Sequence, residues 1–220
     1  MAITDQEIAE VSDAARSRYG GRFQEMGKHI RTLGWGSTEQ QLYRFENTLR
    51  GRMDLSERSI LDIGCGFGDY ASFLEEKGVS FGSYLGWDIT PEFLEEASKR
   101  FAQDQRVSFE AGDIGASQDH KAVADFGVML GLLNWNLKDA NKNYEYSCRL
   151  IRNAFECVKH GLVVDFLSDH LTPEYPREEA VFYHSPSQML DFAFSLSSDV
   201  TLVHDFAPIP QKEFMLFIYK

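Results

Sequence analysis

Ile60-Leu61-Asp62-Ile63-Gly64-Cys65-Gly66-Phe67-Gly68-Asp69 is the stretch on which the reading of this chain turns. A short apolar run leads into three glycines at alternate positions, and a helical pattern follows. Glycines there permit a tight turn, let a ligand approach the backbone, and leave free N–H groups at a helix N-terminus. Such a turn at the carboxyl end of a strand suits a nucleotide-like ligand. A dinucleotide fingerprint would need glycine at position 69, where Asp69 stands. The P-loop pattern G-x-x-x-x-G-K-[ST] is absent. Asp62, two residues before the first glycine, would repel a pyrophosphate and favour a ligand with a cationic amine.

The flanks extend the same alternation. Strands are predicted at about 59–63, 84–88, 106–111, 124–131 and 161–167, with helices at about 69–77, 91–102 and 138–158. Pro91 behind Thr90 opens a helix and Gly78 closes one. Strands alternating with helices of this length imply right-handed βαβ units and a parallel sheet. The end differs: a helix at about 186–196 precedes strands at 199–206 and 213–219, joined by Ala207-Pro208-Ile209-Pro210. So short a connection requires an antiparallel pair, which makes the sheet mixed.

Upstream of the glycine turn are two helical segments. Thr4 and Glu7 form a capping box for a helix to about Arg18, ended by Gly20-Gly21. A loop with Gly34-Trp35-Gly36 follows. Ser37 and Gln40 cap a second helix to Gly51, with Leu42, Phe45 and Leu49 on one face and Gln41 and Arg44 near the opposite side.

Two more acids fall at strand ends. Asp88, in Trp87-Asp88-Ile89-Thr90, ends the second strand, where a carboxylate accepts hydrogen bonds from ribose hydroxyls. Asp113, in Ala111-Gly112-Asp113-Ile114, follows the third and suits an adenine amino group.

The chain of 220 residues is long enough for one α/β domain without disulfide or metal staples. Its net charge of −12 argues against a nucleic-acid partner. The deficit is confined to residues 59–220. Residues 1–58 hold nine basic and nine acidic side chains, so this half, with Arg16, Arg18, Arg22, Lys28 and Arg31, is the one to meet an anion. No apolar run reaches the ~20 residues of a membrane span. The start, MAITDQEIAE, lacks a signal-peptide pattern. Cys65, Cys148 and Cys157, an odd set with no CxxC, fit a reducing compartment and suggest no zinc site. Together these features give the expectation of a cytoplasmic protein.

The ordered set Asp62–Gly68, Asp88 and Asp113 resembles the class I S-adenosylmethionine-dependent methyltransferases over about residues 59–220. The resemblance implies a three-layer Rossmann-like fold with a seven-stranded sheet in the order 3-2-1-4-5-7-6 and an antiparallel strand seven. Residues 1–58 would then be an N-terminal helical lid on a catalytic core at 59–220, within one domain. The implied cofactor is S-adenosylmethionine, leaving as S-adenosylhomocysteine. Carried over by position, Gly64 and Gly66 approach the methionine part, with Cys65 and Gly68 in the same cofactor-binding turn, and Asp62 meets its ammonium or a bridging water. Asp88 with Ile89 would hold the ribose and Asp113 with Ile114 the adenine, and Leu130 to Leu132 would pass beneath the methionine. The segment from Trp35 to Phe45 also resembles small bacterial methyltransferases of unassigned substrate.

Around the acceptor, Asn134-Trp135-Asn136 directly follows strand four, on the rim where acceptors sit in this fold. Asn134 is a candidate catalytic residue, and Trp135 and Asn136 are candidates for orienting a planar polar substrate. Tyr183 and His184 precede the helix after strand five. His184 is the candidate base, because imidazole titrates near neutrality, and Tyr183 is a candidate substrate contact. His204-Asp205 is not expected to act as a dyad, since neighbours on a strand point to opposite faces. No metal is expected: the histidines lack ligand spacing, and Asp165 has no matching acid at Asn134. In the cap, Gln41 and Arg44 would reach the methionine carboxylate, while Tyr19 and Trp35 would cover the sulfonium. The expected activity is methyl transfer to a small-molecule acceptor by a monomer or homodimer. The rivals are an RNA or protein methyltransferase and a non-catalytic cofactor binder.

Overall fold

The computed structural model describes residues 3–116, 121–174, 177–205 and 213–220. Its centre is a seven-stranded sheet in the order β3-β2-β1-β4-β5-β7-β6. The strands are β1 (Ser59–Ile63), β2 (Ser83–Asp88), β3 (Val107–Ala111), β4 (Ala124–Met129), β5 (Val158–Leu167), β6 (Val200–Val203) and β7 (Glu213–Tyr219). β1 to β5 pair in parallel, and β7 runs antiparallel to both β5 and β6. The order and the reversed seventh strand are those the resemblance implies.

Among the described residues six helices accompany the sheet: α1 (Asp5–Met26), α2 (Thr38–Thr48), α3 (Asp69–Glu76), α4 (Pro91–Arg100), α5 (Ala140–Glu156) and α6 (Pro186–Phe194). One side of the sheet packs against Tyr70, Phe73 and Leu74 of α3 and Phe101 after α4. The other packs against Leu150, Ile151 and Phe155 of α5 and Met189 of α6. The central strands are therefore buried on both sides, which is why residues 214–219 of β7 read as a continuous apolar run and 161–167 of β5 are buried throughout.

Three expectations need correction. Gly20-Gly21 does not end the first helix, which runs on to Met26 and is closed by Gly27 at φ 61°. Two helical glycines cost ~1 kcal/mol each relative to alanine, but the second half of α1 is anchored by rings: Tyr19 and Phe23 pack on Phe93, and Phe23 on Phe67. In α2, Leu42 and Leu49 are exposed. The inward side carries Gln41, Arg44, Phe45 and Thr48 instead, because α2 sits on buried carboxylates and a tyrosine hydroxyl. The fourth strand ends at Met129, two residues short of its expected boundary, since Gly131 turns the chain away at φ 72°. The Pro208-Pro210 connection lies outside the described residues.

Candidate active site

A cavity of about 440 Å³ opens over the carboxyl ends of β1, β2 and β4. Its floor is the glycine turn. Gly64, Gly66 and Gly68 have φ of 79°, 54° and 73°, a left-handed region that side chains other than glycine rarely adopt. Gly64 and Cys65 donate their N–H groups to the Trp87 carbonyl of β2 at 2.7 and 3.0 Å, which locks the turn to the neighbouring strand.

Each strand-end acid is tied down differently. Asp88 Oδ2 accepts the Gly66 N–H at 3.0 Å and its Oδ1 the Thr90 N–H at 2.8 Å. Burial raises its pKa, and the backbone bonds oppose that rise. Each oxygen keeps a second lone pair for a ligand hydroxyl. Asp62 is buried, accepts the Tyr84 hydroxyl, and is pushed by desolvation up to about 7. Asp113 Oδ1 accepts the Gly115 N–H at 2.9 Å, and Ile114 beside it is buried and faces the cavity. The Cys65 thiol is driven up by burial and stays protonated.

The roof comes from the N-terminal helices and their loop. Leu33 lies on the glycine turn: a Cβ added to Gly66 would stand 2.9 Å from its Cδ2. Trp35 lies on the turn after β4, where a Cβ on Gly131 would meet its ring at 2.9 Å. The guanidinium of Arg44 stacks on Trp35 at 4.5 Å from the ring centroid. It is also bonded to both Glu213 oxygens, with Nε to Oε2 at 2.6 Å, and lies 3.4 Å from Asp165 Oδ2. Gln41 donates to Asp69 at 3.3 Å. Arg44 thus joins α2 to the ends of β5 and β7. Tyr19 lines the cavity from α1, and burial raises its pKa while Arg22 and Arg18 oppose the rise.

The cavity gathers Tyr19, Trp35, Gln41, Arg44, Asp62, Gly64, Cys65, Gly66, Asp88, Ile89, Asp113, Ile114, Leu130, Asn134 and Trp135. Four other residues selected from the sequence are not brought to it. Gly68 serves packing, since a Cβ there would meet Phe109 and Phe101 at 2.8 and 3.0 Å. Asn136 instead secures its own loop, donating to the Glu179 carbonyl at 2.9 Å and accepting the Lys138 N–H. Tyr183 is buried, and its hydroxyl accepts the Glu178 N–H at 3.1 Å. His184 is fully buried away from the cavity, with Nε2 2.9 Å from Ser147 Oγ and rings of Phe166, Phe182 and Tyr144 around it. Desolvation pushes its pKa down to about 3, so it is a neutral core residue without access to a substrate proton. No histidine or lysine is among the described residues lining the cavity. His204 and Asp205 do point apart, to Ser168 and Arg50.

Several lining residues carry no signal that singles them out in the sequence: Leu33, Tyr146 of α5, and Glu178 and Val181 of the segment after β5. Arg18 and Arg22 of α1 also line the cavity. The balanced charge of residues 1–58 marks these two arginines as a place to meet an anion, but not their position. Val181 comes over the cavity through its bridge to Trp135.

Residues 60–161 match the model of the methyltransferase domain family. A provisionally named methyltransferase of Mycobacterium tuberculosis, Rv1506c, is 26% identical over 153 residues, covering 67% of this chain and 86% of the relative. Among solved structures, the magnesium protoporphyrin IX methyltransferase of Synechocystis PCC 6803 with bound SAH superposes with a TM-score of 0.66 at 15% identity, covering 99% of this chain and 100% of that one. A SAM-dependent methyltransferase from Aquifex aeolicus superposes with a TM-score of 0.58 at 14% identity, covering 91% and 97%. At such identities the likeness to solved structures is one of fold.

Proposed function

We propose that this chain, whose residues 60–161 match a methyltransferase domain model, is a class I methyltransferase that transfers the methyl group of S-adenosylmethionine to a small-molecule acceptor. The observation that carries the reading is the joining of the glycine turn to Asp88 and Asp113 around one cavity. The residues present fit the cofactor. Three left-handed glycines form the turn, and Asp88 is buried with lone pairs to spare. Asp113 and Ile114 lie beside the third strand end. In this reading Asp88 takes the ribose hydroxyls, Asp113 and Ile114 take the adenine, and the backbone at Gly64 and Gly66 takes the methionine part.

Arg44 is engaged with two carboxylates, so its part is to hold Trp35 and α2 in place. The carboxylate of the amino-acid end falls to Gln41 and to Arg22. The latter stands near the glycine turn: its Nη1 would lie 3.3 Å from a Cβ on Gly34, next to Leu33 on Gly66.

S-adenosylmethionine supplies a methyl group on a sulfonium: the acceptor atom forms its bond to that carbon as the carbon–sulfur bond breaks and the electron pair leaves with sulfur. The protein's share is orientation and exclusion of water, and positioning two reactants is worth ~7–11 kcal/mol of barrier. Asn134 is suited to orient the acceptor. Its Oδ1 accepts the Leu167 N–H at 3.3 Å, which fixes the side chain on the cavity wall. With no imidazole among the described residues at the cavity, an acceptor atom already ionised at neutral pH is favoured, because it needs no base.

Calorimetry with S-adenosylhomocysteine tests binding, and transfer of a labelled methyl group into metabolite extracts, RNA and protein fractions tests the acceptor class. Label entering the small-molecule fraction supports the proposal. Cofactor binding with label only in RNA or protein assigns the macromolecular alternative, and binding without transfer to any fraction assigns a non-catalytic binder.

A further inference from the structure

We infer that the acceptor is a planar organic anion, its carboxylate or phosphate held by Arg18 while its ring system lies against Trp135. The inference rests on the methyltransferase reading above and names the substrate class of the same cavity.

The protein is strongly acidic, at −12, yet α1 turns two arginines one helical turn apart, Arg18 and Arg22, to the cavity. Arg16 on the same helix is paired with Asp13 at 2.8 Å and donates to the Ile89 carbonyl. Arg18 has no ion-pair or hydrogen-bond partner among the described residues; its contact is with the Trp135 ring, 5.5 Å from guanidinium carbon to centroid. It is exposed and lines the cavity.

The two arginines serve different ends of the space. Arg22 adjoins Tyr19 and Gly34, on the side of the glycine turn. Arg18 adjoins Trp135, on the rim after β4 with Asn134 and Val181. A cofactor with one carboxylate uses one of these cations, which leaves Arg18 for a second anion. The four aspartates of the cavity do not compete for it, and the fifth acid of its lining, Glu178, is exposed. Asp69 is paired with Arg100 at 2.6 Å, Asp88 and Asp113 accept backbone N–H groups, and Asp62 accepts the Tyr84 hydroxyl.

The chemistry follows. A guanidinium presents a planar fork of donors that matches a carboxylate or a phosphate, and it also stacks on an aromatic face. A flat ring between Arg18 and the cavity wall would exchange the existing cation–π contact for stacking on Trp135, while its anionic group takes the guanidinium edge.

The test uses the full chain saturated with S-adenosylhomocysteine, with 2-naphthoate, 2-naphthyl phosphate, 2-naphthylmethanol and 2-naphthylmethylammonium as probes in calorimetry. The anions should bind at least tenfold more tightly than the alcohol and the ammonium, and the tighter of the two names the headgroup. Arg18→Gln should remove that preference while S-adenosylhomocysteine affinity stays within twofold. Arg16→Gln, outside the cavity lining, should retain the preference. Equal binding of the alcohol overturns the inference, as does an Arg18→Gln variant that still prefers anions. A tenfold loss of S-adenosylhomocysteine affinity in Arg18→Gln also overturns it, since Arg18 would then serve the cofactor's own carboxylate. Failure of the unaltered chain to bind S-adenosylhomocysteine sinks the methyltransferase reading and this inference with it; binding without an anion preference sinks this inference alone.

Discussion

Asp88 reaches from the end of β2 to the glycine turn after β1, where its Oδ2 accepts the Gly66 N–H at 3.0 Å. One carboxylate therefore shapes the turn and offers its remaining lone pairs to a ligand. Asp88→Ala should lower S-adenosylhomocysteine affinity at least tenfold in calorimetry. It should also cost ~1–3 kcal/mol of stability, because the Gly66 N–H loses its buried acceptor. Unchanged affinity would remove Asp88 from the ribose role.

Gly66→Ala separates backbone strain from lost ligand space. At φ 54° an alanine costs ~1–2 kcal/mol, and its Cβ would stand 2.9 Å from Leu33. Gly78→Ala is the control: φ is 71° but nothing lies within 4 Å of its Cβ. Both variants should unfold at lower denaturant, and only Gly66→Ala should lose cofactor binding.

Asp62 makes the stability depend on pH in a direction opposite to that of a salt-bridged carboxylate. Its folded pKa is raised to about 7 by burial, so the folded state binds the proton more tightly than the unfolded chain does. Its contribution is greatest in acid and is lost as pH rises from about 4 through about 7. Asp62→Asn cannot ionise, so its stability relative to the unaltered chain should improve by ~2–3 kcal/mol between pH 5 and pH 8. Urea denaturation at the two values checks this; a constant difference would mean that Asp62 does not change protonation on folding.

Arg44 neutralises Glu213 and Asp165 in a dry setting. Arg44→Met should destabilise by ~3–5 kcal/mol, since two carboxylates remain buried without their cation. Adding Glu213→Gln to that variant should recover part of the loss. Without such recovery the guanidinium would be acting by packing on Trp35.

Hydrogen exchange tests the N-terminal cap. Leu33 and Trp35 pack on the turns after β1 and β4, so a lid that closes over the cofactor should become more protected across about residues 16–45 when S-adenosylhomocysteine is added. Exchange in this segment that ignores the ligand would make it a fixed structural element.

Local spacing is enough to determine much of this protein. Glycines at alternate positions after an apolar run, acids at the next two strand ends and the helix periods between them are short-range patterns. They determine the parallel units and the region of the cavity, and through the family they resemble, the strand order. The reversed β7 follows from a short connection. Tertiary structure decides what depends on distant partners. Arg44 and Glu213 are 169 residues apart in the chain, so nothing near Arg44 says that the polar side of α2 faces inward and leaves Leu42 and Leu49 in solvent. The rings of Phe67 and Phe93 hold α1 through Gly20-Gly21, against the helix propensity of those two residues. His184 reads as a base because an imidazole titrates near neutrality in water. The aromatic shell around it removes that water, and with it the charge.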